Sequence, residues 1–190
     1  MSAGAPVGPV VLGEGERRVL LAVARQAIAA RLSSLPLPAP DVAPELRRPG
    51  AVFVTLRCRA DDELRGCIGT LEAEQPLVDV VGRMAVAAAT QDLRFPSVTA
   101  EELPSLAIEI SVLAPCAPIT PDQVQPGVHG LIVRAGGRSG LLLPQVATDN
   151  GWDRETFLAH TCVKAGLPRE AWKDPRATLL AFTAVVFGED

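Results

Sequence analysis

Ser105-Leu-Ala-Ile-Glu-Ile-Ser-Val-Leu113 alternates with a period of two: Leu106, Ile108, Ile110 and Val112 fall on one side, Ala107, Glu109 and Ser111 on the other. Successive side chains of an extended chain point to opposite faces, so the spacing predicts a strand buried on one face only. Upstream, residues 51–59 repeat the pattern, with Val52, Val54, Leu56 and Cys58 opposed to Phe53, Thr55, Arg57 and Arg59. Downstream, residues 131–134 and 139–143 flank Gly136-Gly137, a strong hairpin signal. Residues 178–187 read as one last strand.

Between these strands the period changes. Over residues 14–32, Leu20, Val23, Ala24, Ala27, Ile28 and Leu32 form a helical stripe, with Arg17, Arg18, Arg25 and Arg31 on the opposite face. Ser33-Ser34 and the prolines at 36, 38 and 40 end that helix, and a loop runs to Gly50. Pro76 suits the first turn of a helix over 76–91. Its Leu77, Val78, Val80, Val81, Met84, Ala85 and Val86 leave little polar surface, which predicts a largely buried helix. Gly151-Trp152-Asp153 supplies the N-cap of a helix over 153–165, closed by Gly166 and Pro168. Helices and strands mix without a βαβ rhythm, which predicts an α+β fold with a mainly antiparallel sheet and packed helices. Residues 1–13, rich in Gly, Pro, Ala and Val, are expected to fray; residues 14–190 form one domain.

Composition narrows the function. The 190 residues carry a formal net charge of −4 and only 4% aromatics with no Tyr, which argues against a nucleic-acid-binding surface. No run is long enough for a membrane span, and the N-terminus lacks a signal peptide's basic region, so a cytoplasmic protein is expected. The four cysteines are far apart, without a CxxC pair, and there are two histidines. No metal site, iron–sulfur cluster, S-adenosylmethionine loop or other cofactor is indicated, and free thiols in a reducing compartment are the expectation.

The chemistry concentrates in Leu64-Arg-Gly-Cys-Ile-Gly-Thr70. Gly66 and Gly69 bracket Cys67, permitting positive φ or close backbone approach, and Arg65 places positive charge beside a thiol read as lying on a turn. Cys58 and Cys162 lie on apolar faces and read as core. His129, in Gly127-Val-His-Gly130, and His160 are the two side chains able to serve as a base at neutral pH. Asp92, Arg94 and Glu109 are polar residues set among apolar ones.

Together these stretches resemble the AMMECR family. The match runs from about residue 14 to 187 and rests on Leu64-Arg-Gly-Cys-Ile-Gly-Thr70, Arg94-Phe-Pro96, Ile108-Glu-Ile-Ser-Val-Leu113, His129-Gly-Leu-Ile-Val133, Leu143-Pro-Gln-Val-Ala147, Gly151-Trp-Asp153 and Lys164-Ala-Gly-Leu-Pro168. It is most similar to the prokaryotic branch called protein A of the AmmeMemoRadiSam system. The resemblance implies two lobes sharing a cleft that gathers the signature residues, and association with a MEMO-like protein and a radical SAM protein. Carried over, the signature is Arg65, Gly66, Cys67, Gly69, Arg94, His129 and Gln145. Leu93, Ser97 and Leu71 depart from the family pattern, and members differ at the place of Cys162.

Two readings follow. In the first, the chain is an enzyme or enzyme component acting on a small molecule, with Cys67 as nucleophile and His129 as base. Arg65, Gly66, Gly69, Arg94, Glu109 and Gln145 would then bind substrate, and Glu109 is expected to pair with Arg65 or Arg94. In the second, it is a non-catalytic ligand-binding or adaptor module for the implied partners.

Overall fold

The computed structural model describes residues 11–36 and 42–189; the expected fraying of the first ten residues lies outside them. In chain order the elements are α1 (Glu14–Leu32), β1 (Ala51–Cys58), β2 (Leu64–Thr70), α2 (Leu77–Thr90) and β3 (Leu106–Leu113). There follow β4 (Ala117–Pro118), β5 (Gly130–Ala135), β6 (Arg138–Leu142), α3 (Pro144–Asp149), α4 (Arg154–Lys164), β7 (Thr178–Phe182) and β8 (Ala184–Gly188). Helices and antiparallel sheets coexist, as an α+β fold requires. No helix among the described residues is long and apolar enough to cross a membrane.

The chain divides into two compact units, Val11–Leu113 with the C-terminal segment from Val185, and Ala114–Ala184. In the first, four strands lie in the order β2-β1-β3-β8, with β1 antiparallel to both β2 and β3. Val52, Val54, Leu56, Ile108 and Ile110 are fully buried, and α1 and α2 pack on their side of the sheet. Each such side chain removed from water stabilises by roughly 1.5–3 kcal/mol, so this alternating face is what closes the unit. α2 is buried almost all round, as its composition predicts.

Arg25, on the face of α1 opposite the apolar stripe, is half-buried. Its guanidinium holds both carboxylate oxygens of Glu189, whose Oε2 also accepts from Arg59 Nη2 at 3.0 Å and from the Ile108 amide at 3.1 Å. This clasp ties the chain end beside β3.

In the second unit the strands run β4-β7-β5-β6. Gly136 and Gly137, at φ +55° and +75°, form the two-residue turn joining β5 to β6, where a side chain would be strained. Asp153 accepts the Thr156 amide at 2.8 Å as the N-cap of α4. Leu131, Val133, Phe157, Leu158, Cys162 and Ala181 form the core.

The stretch 178–187 is not one strand. It breaks at Thr183: β7 pairs with β5 in the second unit, whereas β8 joins the sheet of the first. The run is continuously β-forming, so only pairing partners reveal the break.

Candidate functional site

β2 is the outermost strand of its sheet, and edge strands carry unpaired backbone groups. At Cys67 those groups are taken by a side-chain pair. Asp92 Oδ2 accepts the Cys67 amide at 2.8 Å, and Arg94 Nη2 lies 3.5 Å from the Cys67 carbonyl oxygen. Asp92 Oδ1 also accepts the Arg94 amide at 3.2 Å and Nε at 2.9 Å, while Arg94 Nη2 donates to Oδ2 at 2.6 Å. The Asp92 side chain is 7% exposed and that of Arg94 57%. The Arg94 guanidinium holds the Asp92 carboxyl far below the ordinary carboxylate range, against the opposing effect of burial and with help from the Cys67 amide. An ionised carboxylate therefore anchors the strand at Cys67.

Cys67 lies not on the expected turn but in the middle of β2, just past an irregularity in its pairing with β1 at Arg65. Neither flanking glycine has positive φ; close approach is what each supplies. A Cβ at Gly66 would fall onto the Ala88 carbonyl oxygen of α2, and one at Gly69 onto the Phe53 ring. Thr55 stands opposite Cys67 in the β1–β2 register, and its Oγ1 donates to Cys67 Sγ at 3.3 Å. Gly66 and Leu56 point toward the helices, so alternation turns Thr55 and Cys67 to the sheet face away from them. Thr55 is buried, yet Cys67 is only half-buried. The arrangement is a fixed, partly exposed sulfur with a hydroxyl donor aimed at it, and that hydroxyl binds a thiolate more strongly than a thiol.

Glu109 is not the partner of either arginine. Arg65 Nε and Nη2 meet the two oxygens of Glu102 at 2.5 and 3.1 Å, and Arg94 is held by Asp92. Both guanidinium groups also lie against the Phe95 ring, at 5.9 and 5.4 Å from its centroid. Glu109 faces Thr55 from β3, completing a row Cys67–Thr55–Glu109 across three strands. Two polar atoms nearby are buried without a hydrogen-bond partner, Arg65 Nη1 and Ser111 Oγ.

His129 and Gln145 belong to the second unit. The His129 ring Nδ1 accepts the Gln125 amide at 3.2 Å, and burial pushes the imidazole below its usual range. A neutral ring with Nδ1 so occupied carries its proton on Nε2. In that tautomer His129 presents its Nε2–H as a hydrogen-bond donor. Gln145 Oε1, on α3, is buried and unpartnered. Cys162 is fully buried and burial pushes its thiol up, in line with the core reading. Cys58 is only half-buried at the end of β1. His160 stacks on Trp152 with ring centroids 4.1 Å apart, a structural contact.

Sequence reasoning missed Thr55 and Glu102 and gave Asp92 no role. Thr55 was detectable as the polar residue between Phe53 and Arg57 on the non-core side of β1. The Asp-x-Arg spacing of Asp92 and Arg94 was the other available signal.

A family model described as AMMECR1 matches residues 21–187. A protein of Methanothermobacter thermautotrophicus is 45% identical over 188 residues, covering 94% of this chain and 97% of that protein. One of Methanopyrus kandleri is 43% identical over 190 residues, covering 95% and 91%. The crystal structure of an uncharacterised protein from Pyrococcus horikoshii superposes with a TM-score of 0.83 at 42% identity, covering 90% of each chain.

Proposed function

This chain belongs to the AMMECR1 family, and we propose that it acts on a small molecule beside Thr55 and Cys67 of its first sheet, with Cys67 as the reacting thiol. The observation that carries this reading is the Thr55 hydroxyl donating to Cys67 Sγ at 3.3 Å. Around it, Asp92 and Arg94 hold the Cys67 backbone from the open edge, so the sulfur keeps one position. A fixed nucleophile with a hydrogen-bond donor already in place spends little on reorganisation when negative charge gathers on sulfur. The matching substrate presents an electrophilic carbon to Sγ and a polar group to the arginines. Such thiol chemistry fits the cytoplasm, where the sulfur stays reduced.

Mass-mapped alkylation at neutral pH tests the assignment. Thr55→Val should slow iodoacetamide labelling of Cys67 about threefold or more, because the thiolate loses its donor. Cys67→Ser should fold normally and fail to restore a deletion strain. Full complementation by Cys67→Ser would end the nucleophile reading.

A second reading, a docking module for MEMO-like and radical SAM partners, draws on Leu93. This residue is fully exposed between Asp92 and Arg94, an apolar side chain held out by a rigid clamp. Leu93→Asp should abolish co-purification with such partners while leaving Cys67 labelling unchanged; retained co-purification would remove this reading.

A further inference from the structure

Away from Cys67, the α1–α2 pair carries two adjoining hollows that share Arg31 and Gln91. One, of about 390 Å³, is floored by Leu35, Met84, Val86 and Ala87 and flanked by Arg31 and Arg83. The other, of about 320 Å³, presents Ser34, Thr90 and Ser97. No aspartate or glutamate lines either one.

The two arginines differ from those that a carboxylate holds. Arg25, Arg59, Arg65, Arg94 and Arg176 each meet a carboxylate. Among the described residues, Arg31 and Arg83 have no side-chain hydrogen bond or ion pair, and both are exposed beside apolar surface. Guanidinium is weakly hydrated and its planar fork matches a carboxylate in bidentate geometry. Two such groups flanking an apolar floor are complementary to a molecule with an anionic head and an apolar body. Either half of that complementarity alone is weak, since one exposed ion pair contributes little. The hollow lies within the range of small-ligand pockets, so the occupant is a small molecule and not a long helix.

We propose that this groove binds a short-chain amphipathic carboxylate, its head between Arg31 and Arg83 and its chain along Met84, Val86 and Leu35. The inference is independent of the role of Cys67.

The test is an amide chemical-shift titration of the full chain with octanoate, octanol and inorganic phosphate as probes. Octanoate should produce saturable shifts centred on residues 83–91. Octanol and phosphate should each bind at least about tenfold more weakly, because each lacks one half of the ligand. The Arg31→Gln/Arg83→Gln double variant alters only exposed side chains and should keep its melting temperature while weakening octanoate about tenfold. Octanol or phosphate binding as tightly as octanoate, an unchanged octanoate affinity in the variant, or no saturable shift would each overturn the proposal.

Discussion

Asp92 Oδ2 lies 2.8 Å from the Cys67 amide nitrogen, so a side chain from the segment after α2 makes the hydrogen bond that a further strand would make at this edge. Hydrogen bonds to a charged group contribute roughly 1.5–3 kcal/mol. Asp92→Ala should therefore destabilise by about that much, seen as a lower denaturation midpoint with an unchanged slope. Hydrogen exchange at the Cys67 amide should accelerate, and unaltered exchange would place that bond elsewhere.

The same carboxylate sets an acid limit. Unfolded aspartate titrates near pH 3.9, and in the fold Arg94 holds Asp92 well below that. A depressed folded value means the stabilisation is complete above about pH 4 and is lost as the pH falls further. Between about pH 4 and 2 the parent chain should lose melting temperature more steeply than Asp92→Asn. Parallel slopes would contradict the linkage.

Arg65 and Glu102 form the less exposed of the two site ion pairs, with side chains 13% and 29% exposed. Breaking a fully buried pair costs about 3–5 kcal/mol, and this partial exposure lowers the expectation for Glu102→Gln to about 2–3 kcal/mol. Glu109→Gln, which touches neither arginine, should stay within about 0.5 kcal/mol. Melting temperatures of the two variants measured side by side decide between these carboxylates.

The thiols should separate by accessibility. In the native protein, alkylation should label the exposed Cys116 and the half-buried Cys58 and Cys67 and spare Cys162, which reacts only on unfolding. Cys162→Ser places a hydroxyl in an apolar core and should cost about 1–2 kcal/mol. Native labelling of Cys162 would mean that its helix opens.

Glu189 joins Arg25, Arg59 and the Ile108 amide. Glu189→Ala takes the carboxylate from Arg25 and Arg59, which keep hydrogen bonds to the backbone carbonyls of Leu103 and Leu106, and should destabilise by about 1.5–3 kcal/mol. Hydrogen exchange should rise first at Ile108. A melting temperature equal to the parent's would show that the clasp carries no weight.

The local periodicities were enough to specify α1, α2, β1, β3, the β5–β6 hairpin and α4, because each depends on which face of one segment is apolar and on turn residues adjacent in sequence. The unusual character of Leu64-Arg-Gly-Cys-Ile-Gly-Thr70 was also legible, since two glycines around a cysteine demand a backbone reason. What that reason is belonged to the tertiary structure. Close approach of Ala88 and Phe53 explains Gly66 and Gly69, and neither neighbour is near in sequence. Nor can a strand pattern reveal pairing register, so the contact between Thr55 and Cys67, twelve residues apart, was hidden. Pairing also splits the uniform run at 178–187 between two sheets. The charge partners were settled the same way: Glu109 satisfied every local criterion, but ion pairs form by distance in space, and the loops bring Glu102 to Arg65 and Asp92 to Arg94.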